Sequence, residues 1–260
     1  MNNLDTLIEN GLVVTENEIG HLNIGIKDGK IAYLGDENLN AEFKINASDL
    51  IVLPGGIDPH VHVDQPSGDD VIMADNFQSA TKSAAAGGNT TILPFAMQIK
   101  GQSLRKCVED YHKKAQGNMY IDTSFHLIIS DPTPQVLGQE LPALSKDGYT
   151  SFKVFMTYDD LVLNDKELIE VFDVAKQLKT LVMVHAEGYD SIKYLSDKFE
   201  KEGKTAPYYH APTRPQIVER EATHRAISHA QIVDIPLMIV HVSGEEALNQ
   251  IRWAKDKGIK

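Results

Sequence analysis

Residues 151–156 read Ser-Phe-Lys-Val-Phe-Met, a short run that is apolar in the middle except for Lys153. A few residues later a helical pattern opens with Asn-Asp-Lys-Glu at 164–167, a sequence similar to a capping box. Apolar residues then recur at the spacing of one helix face. An apolar run of this length predicts a strand covered on both faces. The stretch therefore predicts one strand–helix unit of a parallel sheet.

The same alternation of strand and helix recurs along the chain from residue 51. It predicts six strands, at Ile51–Leu53, Thr90–Phe95, Ser124–Ile129, Ser151–Met156, Leu181–His185 and Pro236–His241. Repeated strand–helix units form either an open doubly wound sheet or a closed barrel. The glycine pairs at 55–56 and 87–88 lack the spacing of a dinucleotide-binding loop. The pattern therefore favours an α/β barrel.

Residues 1–50 have a different rhythm, in which short apolar runs alternate with turn residues. Asp28-Gly29 between two such runs is a hairpin signal. We therefore predict two domains, a small antiparallel β unit at 1–50 and the barrel at 51–260. A closed barrel needs eight units and about 250 residues. With about six units present, we expect a truncated barrel, and we expect the isolated 260-residue chain to be inactive.

The composition excludes several classes of partner. The formal net charge is −12, which disfavours binding to nucleic acid. No run is long and apolar enough to cross a membrane. The single cysteine, Cys107, cannot form an internal disulfide and fits a reducing compartment. We expect a cytoplasmic protein with no signal peptide and with neither a nucleic-acid nor a membrane partner.

Four of the ten histidines lie at the ends of predicted strands: His60, His62, His185 and His241. The carboxyl ends of barrel strands meet at one rim, where active sites are built. His60 and His62 alternate, so in an extended segment both side chains point to the same side. Two adjacent imidazoles can hold one metal ion. The pattern therefore predicts a metal site at this rim.

Lys153 is the one charged residue in its predicted strand. Burying a lysine without a partner is costly and lowers its pKa. One interpretation is an ammonium that reaches the rim or pairs with a carboxylate. The other is a neutral amine that adds CO₂, giving a carbamate whose two oxygens can bridge two cations. The residues themselves leave both interpretations open.

Several segments together resemble motifs of the metal-dependent amidohydrolase superfamily. They are Pro54–His62, Ser151–Tyr158, Val184–Glu187 and Val240–Ser243, with Tyr209–Pro215 similar to the linking stretch of hydantoinases and dihydropyrimidinases. Each motif is weak by itself, but the set is specific and covers essentially the whole chain. By this resemblance the chain is identified as a member of the hydantoinase/dihydropyrimidinase family.

The resemblance implies a TIM-like (β/α)8 barrel, truncated here, preceded by part of a small β-sandwich domain. It implies two divalent metal ions, most readily Zn²⁺ with Mn²⁺ or Co²⁺ as substitutes, and a carbamate on Lys153. The implied ligands are His60, His62 and Lys153 for one ion, and Lys153, His185 and His241 for the other. Tyr158 is implied to polarise the scissile carbonyl and to stabilise the oxyanion. The family's metal-binding aspartate has no match in this sequence.

The activity implied is hydrolysis of a cyclic amide in a neutral ring, either a 5-substituted hydantoin or a dihydropyrimidine, to an N-carbamoyl amino acid. Dihydroorotase- and allantoinase-like proteins have an arginine where this chain has Asp64, and a carboxylate there would repel an anionic substrate. The alternatives are an allantoinase-like cyclic amidase and a non-catalytic, dihydropyrimidinase-related scaffolding protein. The resemblance also implies a homo-oligomer, namely a tetramer.

Overall fold

The computed structural model describes residues 4–68 and 71–260. The chain divides into two compact units, Met1–Gly56 and Ile57–Lys260. Within the described residues, no helix combines the length and the apolar character that a bilayer crossing requires.

The first unit contains a five-stranded sheet. Its strands are β1 (Leu4–Val14), β2 (Ile19–Lys27), β3 (Lys30–Gly35), β4 (Ala41–Asn46) and β5 (Ile51–Val52). Asp28 and Gly29 join β2 to β3 with φ of 50° and 71°, which confirms the predicted hairpin. The prediction of a wholly antiparallel unit is wrong for β4 and β5, which run parallel to β1. Apolar spacing predicts a strand but not its direction.

The prediction that Ile51–Leu53 forms the first barrel strand is also wrong. Ile51 and Val52 pair with Leu12 and Val13 of β1, so they belong to the first sheet. The sheet of the second unit begins instead with β6 (Gly56–Val61). A short apolar run before a glycine pair indicates a strand without indicating its partner. The first unit accordingly continues beyond residue 50.

The second unit contains a seven-stranded sheet whose main strands follow one another in chain order. After β6 come β7 (Asn89–Met97), β8 (Asp122–Thr123), β9 (His126–Ile128), β10 (Ser151–Phe155), β11 (Leu181–His185) and β12 (Leu237–Ile239). β8 pairs with β7 and lies outside this main order. The pairs from β7 to β12 are parallel. This is the arrangement of a partial TIM-like barrel, whereas the exact number of units and the β-sandwich stay predictions.

Helices connect most of these strands. They are α1 (Phe77–Ala86), α2 (Leu104–Ala115), α3 (Leu141–Lys146), α4 (Asp165–Leu178), α5 (Tyr189–Lys201), α6 (Gln216–Val233) and α7 (Glu245–Asp256). The capping box at the start of α4 is confirmed. Asn164 Oδ1 accepts from the Glu167 amide at 3.0 Å, and the Glu167 carboxylate accepts from the Asn164 amide at 2.9 Å. α3 and α5 were not anticipated from the sequence.

The pleat of β10 sends its side chains to two different apolar regions. Phe152 and Val154 are fully buried in the large core between sheet and helices. Lys153 and Phe155 alternate with them and therefore point to the opposite face. Phe155 packs there in a second, smaller cluster with Phe95, Ile128, Met183 and Val240. The strand thus buries Lys153 on the face away from the helices.

Phe172 of α4 tests the large core. Its side chain is fully buried, so Phe172→Ala should lower the free energy of unfolding by about 3–5 kcal/mol through lost burial and the cavity left behind. Urea denaturation measures the change. The exposed neighbour Asp173 is the control, and Asp173→Ala should shift stability by no more than about 0.5 kcal/mol. Equal effects from the two variants would contradict this description of the core.

Candidate active site

The four strand-end histidines come together at the carboxyl edge of the second sheet. His60 lies in β6, His62 directly follows it, His185 ends β11 and His241 follows β12. The His60 ring centroid lies 5.6 Å from that of His62 and 5.3 Å from that of His241. The His241 ring is in turn 4.5 Å from that of His185. Residues up to 181 positions apart in sequence thus form one continuous group of imidazoles.

Burial favours the neutral form of three of these imidazoles, those of His60, His62 and His241. It lowers the pKa of His60 to about 4 and that of His241 to about 4, with nearby basic groups adding to the effect. Burial also lowers the pKa of His62. A neutral imidazole has a free lone pair at neutral pH, which is the form that binds a metal ion.

Lys153 lies within the same group, with its side chain fully buried. Its Nζ finds no hydrogen-bond partner within the described part of the chain. The nitrogen is 5.2 Å from the Phe95 ring centroid and 5.0 Å from that of Phe155. Burial lowers the pKa of the amine to about 7. The interpretation of Lys153 as a lysine that reaches the rim or pairs with a carboxylate therefore does not fit the structure.

These side chains fit a divalent metal ion of the zinc type. Imidazole nitrogens and carboxylate-like oxygens are suitable ligands for it, and Lys153 Nζ is a buried polar atom that still needs a partner. Across residues 4–68 and 71–260, no three His, Cys, Asp or Glu side chains converge by themselves on one metal-sized point. Lysine does not belong to those four types, so a modified Lys153 would be an additional ligand.

Two further residues hold the imidazoles, and the sequence patterns did not predict them. Gln65 Oε1 lies 2.5 Å from His62 Nδ1, and Gln65 Nε2 lies 3.0 Å from the sulfur of Met97. Glu187 Oε2 lies 2.8 Å from His185 Nε2, and this contact lowers the pKa of Glu187. Partners of this kind fix ring orientation in metal sites. Their only signal in the sequence is that each follows a histidine by two or three positions.

Tyr158 lies beside the histidines and lines a cavity of about 1030 Å³. Its ring centroid is 5.2 Å from that of His185, and 42% of the residue is exposed. Partial burial and the nearby carboxylate of Glu187 raise the pKa of its hydroxyl. The hydroxyl therefore stays protonated and can donate a hydrogen bond. His62 and Arg214 line the same cavity.

Asp64 does not face this cavity, contrary to the expectation that it meets the substrate. Lys114 Nζ donates to its backbone oxygen at 2.6 Å and to its carboxylate at 3.1 Å. The φ of Asp64 is 50°, which breaks the alternation that began with His60 and His62. Gln65 lines the cavity instead. Asp64 therefore gives no reason to exclude anionic substrates.

Three residues around the site have a positive φ. Asp64, Tyr158 and His241 have φ of 50°, 72° and 38°, a region that residues with a Cβ rarely adopt. Such conformations cost on the order of 1–3 kcal/mol each and persist where the surroundings enforce them, often at functional sites. All three residues follow strands of the second sheet at its carboxyl edge.

Comparison with known proteins agrees with this geometry. Residues 51–224 match the sequence profile of the amidohydrolase family. A D-hydantoinase of Ralstonia pickettii is 46% identical over 99% of this chain and 56% of its own length. A solved structure of a D-hydantoinase superposes with a TM-score of 0.95 at 46% identity, over 98% of this chain and 56% of that one. A dihydropyrimidinase structure from Brevibacillus agri superposes with a TM-score of 0.93 at 41% identity, over 98% of this chain and 55% of that one.

The chain thus spans about half the length of the curated relatives that it matches. The profile match runs from β5 into α6, so it covers the strands of the second sheet from β6 to β11. It includes four of the five predicted metal ligands, all except His241. The family resemblance predicted from the sequence motifs is confirmed. The chain belongs to the amidohydrolase family, and within that family its sequence and fold match the hydantoinase and dihydropyrimidinase group.

Proposed function

We propose that the protein hydrolyses the cyclic amide of a neutral ring, a 5-substituted hydantoin or a dihydropyrimidine, to the N-carbamoyl amino acid. The observation that carries the proposal is the fully buried Lys153 amine, which lacks a hydrogen-bond partner among the described residues and lies among strand-end histidines. The similarity to proteins named D-hydantoinase and dihydropyrimidinase supports the choice of ring.

In this proposal, two divalent metal ions are held by His60, His62, His185 and His241 together with a carbamate on Lys153. The carbamate forms when the neutral amine adds CO₂, which makes one N–C bond and releases one proton. With its pKa near 7, Lys153 offers a substantial neutral fraction at physiological pH. Bound metal ions supply Lewis acidity, which polarises a carbonyl group and lowers the pKa of water.

The other side chains orient the reactants. Tyr158 donates a hydrogen bond to the ring carbonyl oxygen, where negative charge develops during attack. Gln65 and Glu187 hold the rings of His62 and His185 in place. The cavity beside Tyr158 accommodates the ring and its substituent.

A non-catalytic scaffolding protein would gain no function from the buried amine of Lys153. No observation favours the allantoinase-like alternative. The choice of Zn²⁺ over Mn²⁺ or Co²⁺, a tetrameric assembly and a cytoplasmic location stay predictions. So does the assignment of each ligand to a particular metal ion.

Purified full-length protein, loaded with Zn²⁺, tests the proposal when it is assayed against dihydrouracil, hydantoin, 5-phenylhydantoin and allantoin. We expect ring opening of hydantoin or dihydrouracil, with the N-carbamoyl product identified by mass spectrometry. A metal-stripped sample is the control. Hydrolysis of allantoin alone would favour the allantoinase-like alternative, and hydrolysis of none of the four rings would refute the proposed activity.

A further inference from the structure

We infer that Asp159 is a positioning residue that, through contacts with Lys100 and Tyr189, holds the loop carrying Tyr158 and so aims the Tyr158 hydroxyl into the cavity. The inference rests on the proposed function, since it assigns Asp159 a part in the reaction through Tyr158. These contacts join two loops and the start of α5, and none of the sequence motifs indicates them.

The contacts join three strand–helix connections. Lys100, in the loop after β7, donates from Nζ to the backbone oxygen of Asp159 at 3.2 Å. Tyr189, the first residue of α5 after β11, donates its hydroxyl to the Asp159 carboxylate. Asp159 itself lies in the loop after β10, directly after Tyr158. All four residues line the same cavity. We call the set of Lys100, Asp159 and Tyr189 the clamp.

The loop needs such a restraint because its backbone is strained. Tyr158 has φ of 72°, which is costly for a residue with a large side chain. The backbone amides of Leu161 and Val162 both donate to the backbone carbonyl oxygen of Tyr158, at 3.0 and 2.8 Å, and close a tight turn. Tyr158 is 42% exposed and Asp159 is exposed, so side-chain packing alone does not enforce this conformation. A strained conformation persists only where its surroundings over-determine it.

The chemistry of the clamp suits positioning better than folding. The hydrogen bond from the Tyr189 hydroxyl to the Asp159 side chain is directional, as hydrogen bonds are. Contacts of exposed charged groups contribute little to global stability. Losing the clamp should therefore leave the protein folded and change only the position of Tyr158. A displacement of about 1 Å at a reacting group can cost up to roughly a hundredfold in rate.

Tyr189→Phe removes the hydroxyl contact and keeps the ring. We expect kcat to fall by roughly ten- to a hundredfold, with KM and metal content unchanged, because Tyr158 acts on charge that develops in the transition state. Hydrogen exchange at the amides of Leu161 and Val162 should become faster. Tyr194 lies on the same helix and is 67% exposed, so Tyr194→Phe is the matched control. It should change neither kcat nor the exchange rate of these amides.

A double-mutant cycle separates positioning from a general structural effect. The full-length, metal-loaded protein is assayed with a ring that the wild type hydrolyses, as Tyr189→Phe, Tyr158→Phe and the combined variant. If Tyr189 acts through Tyr158, adding Tyr189→Phe to Tyr158→Phe should lower kcat by less than about twofold. Asp159→Ala should repeat the effect of Tyr189→Phe, whereas Asp159→Asn, which keeps an acceptor oxygen, should restore most of the rate.

Equal losses from Tyr189→Phe in both backgrounds would overturn the inference, because the effect would then bypass Tyr158. Unchanged kcat in Tyr189→Phe and Asp159→Ala would overturn it as well, whether or not amide exchange became faster. These outcomes leave the proposed function intact if the wild type is active. A wild-type protein that opens no cyclic amide would instead refute the proposed function, and the clamp's catalytic part with it.

Discussion

Lys153→Ala should remove most of the bound metal and lower turnover by at least about a thousandfold, since metal ions supply several kcal/mol of transition-state stabilisation. The physical reason is the loss of the side chain that we propose bridges two cations, which lies fully buried among the histidines. Elemental analysis of the full-length protein measures metal per chain, and ring opening measures turnover.

Lys153→Met separates the loss of a ligand from a loss of folding. The methionine keeps the apolar volume and removes an amine that has no partner among the described residues, so the metal-free protein should melt at the same temperature or higher. Lys166, whose side chain is 83% exposed at the start of α4, is the surface control. Lys166→Ala should keep metal and activity. Two metals per chain and normal turnover in Lys153→Ala would refute the proposed role.

Tyr158→Phe should keep both metals and lose turnover by about a hundred- to a thousandfold, the usual cost of removing one hydrogen-bond donor to a developing oxyanion. The phenyl ring still packs near His185 and Phe155, so binding of metal and folding are preserved. Steady-state kinetics should show the loss in kcat rather than in KM.

Tyr208 is 77% exposed and serves as the control for removing a tyrosine hydroxyl. Tyr208→Phe should have the kinetics of the wild type. A loss of less than about threefold in Tyr158→Phe would make Tyr158 only a packing aromatic, because a donor to the oxyanion contributes far more than that.

The grouping of the strand-end histidines could be predicted from the sequence because topology determines where these residues lie, whereas their roles stay predictions. His60, His185 and His241 are at or near the ends of parallel strands, and parallel strands end at one edge. Lys153 stood out as the one charge in an apolar run, and its burial follows from that run. Such patterns depend only on the local chain and on the rule that joins strands into a parallel sheet.

What the sequence could not predict depends on contacts between distant segments or on single backbone angles. The pairing of Ile51 and Val52 with β1 joins segments about forty residues apart that have no complementary signal. The φ of Asp64 turns its carboxylate to Lys114 and places Gln65 in the cavity, which reverses an argument based on simple alternation. The contact between Tyr189 and Asp159 likewise needed the three-dimensional arrangement.

The proposal that Lys153 carries a carbamate that holds metal can be tested by carbon-13 NMR of full-length, metal-loaded protein prepared with ¹³C-bicarbonate. We predict a carbamate carbonyl resonance that is present in the wild type, absent in Lys153→Ala and lost when the metal is removed by a chelator. A metal-loaded, active wild type without that resonance, or the same resonance in Lys153→Ala, would contradict the claim.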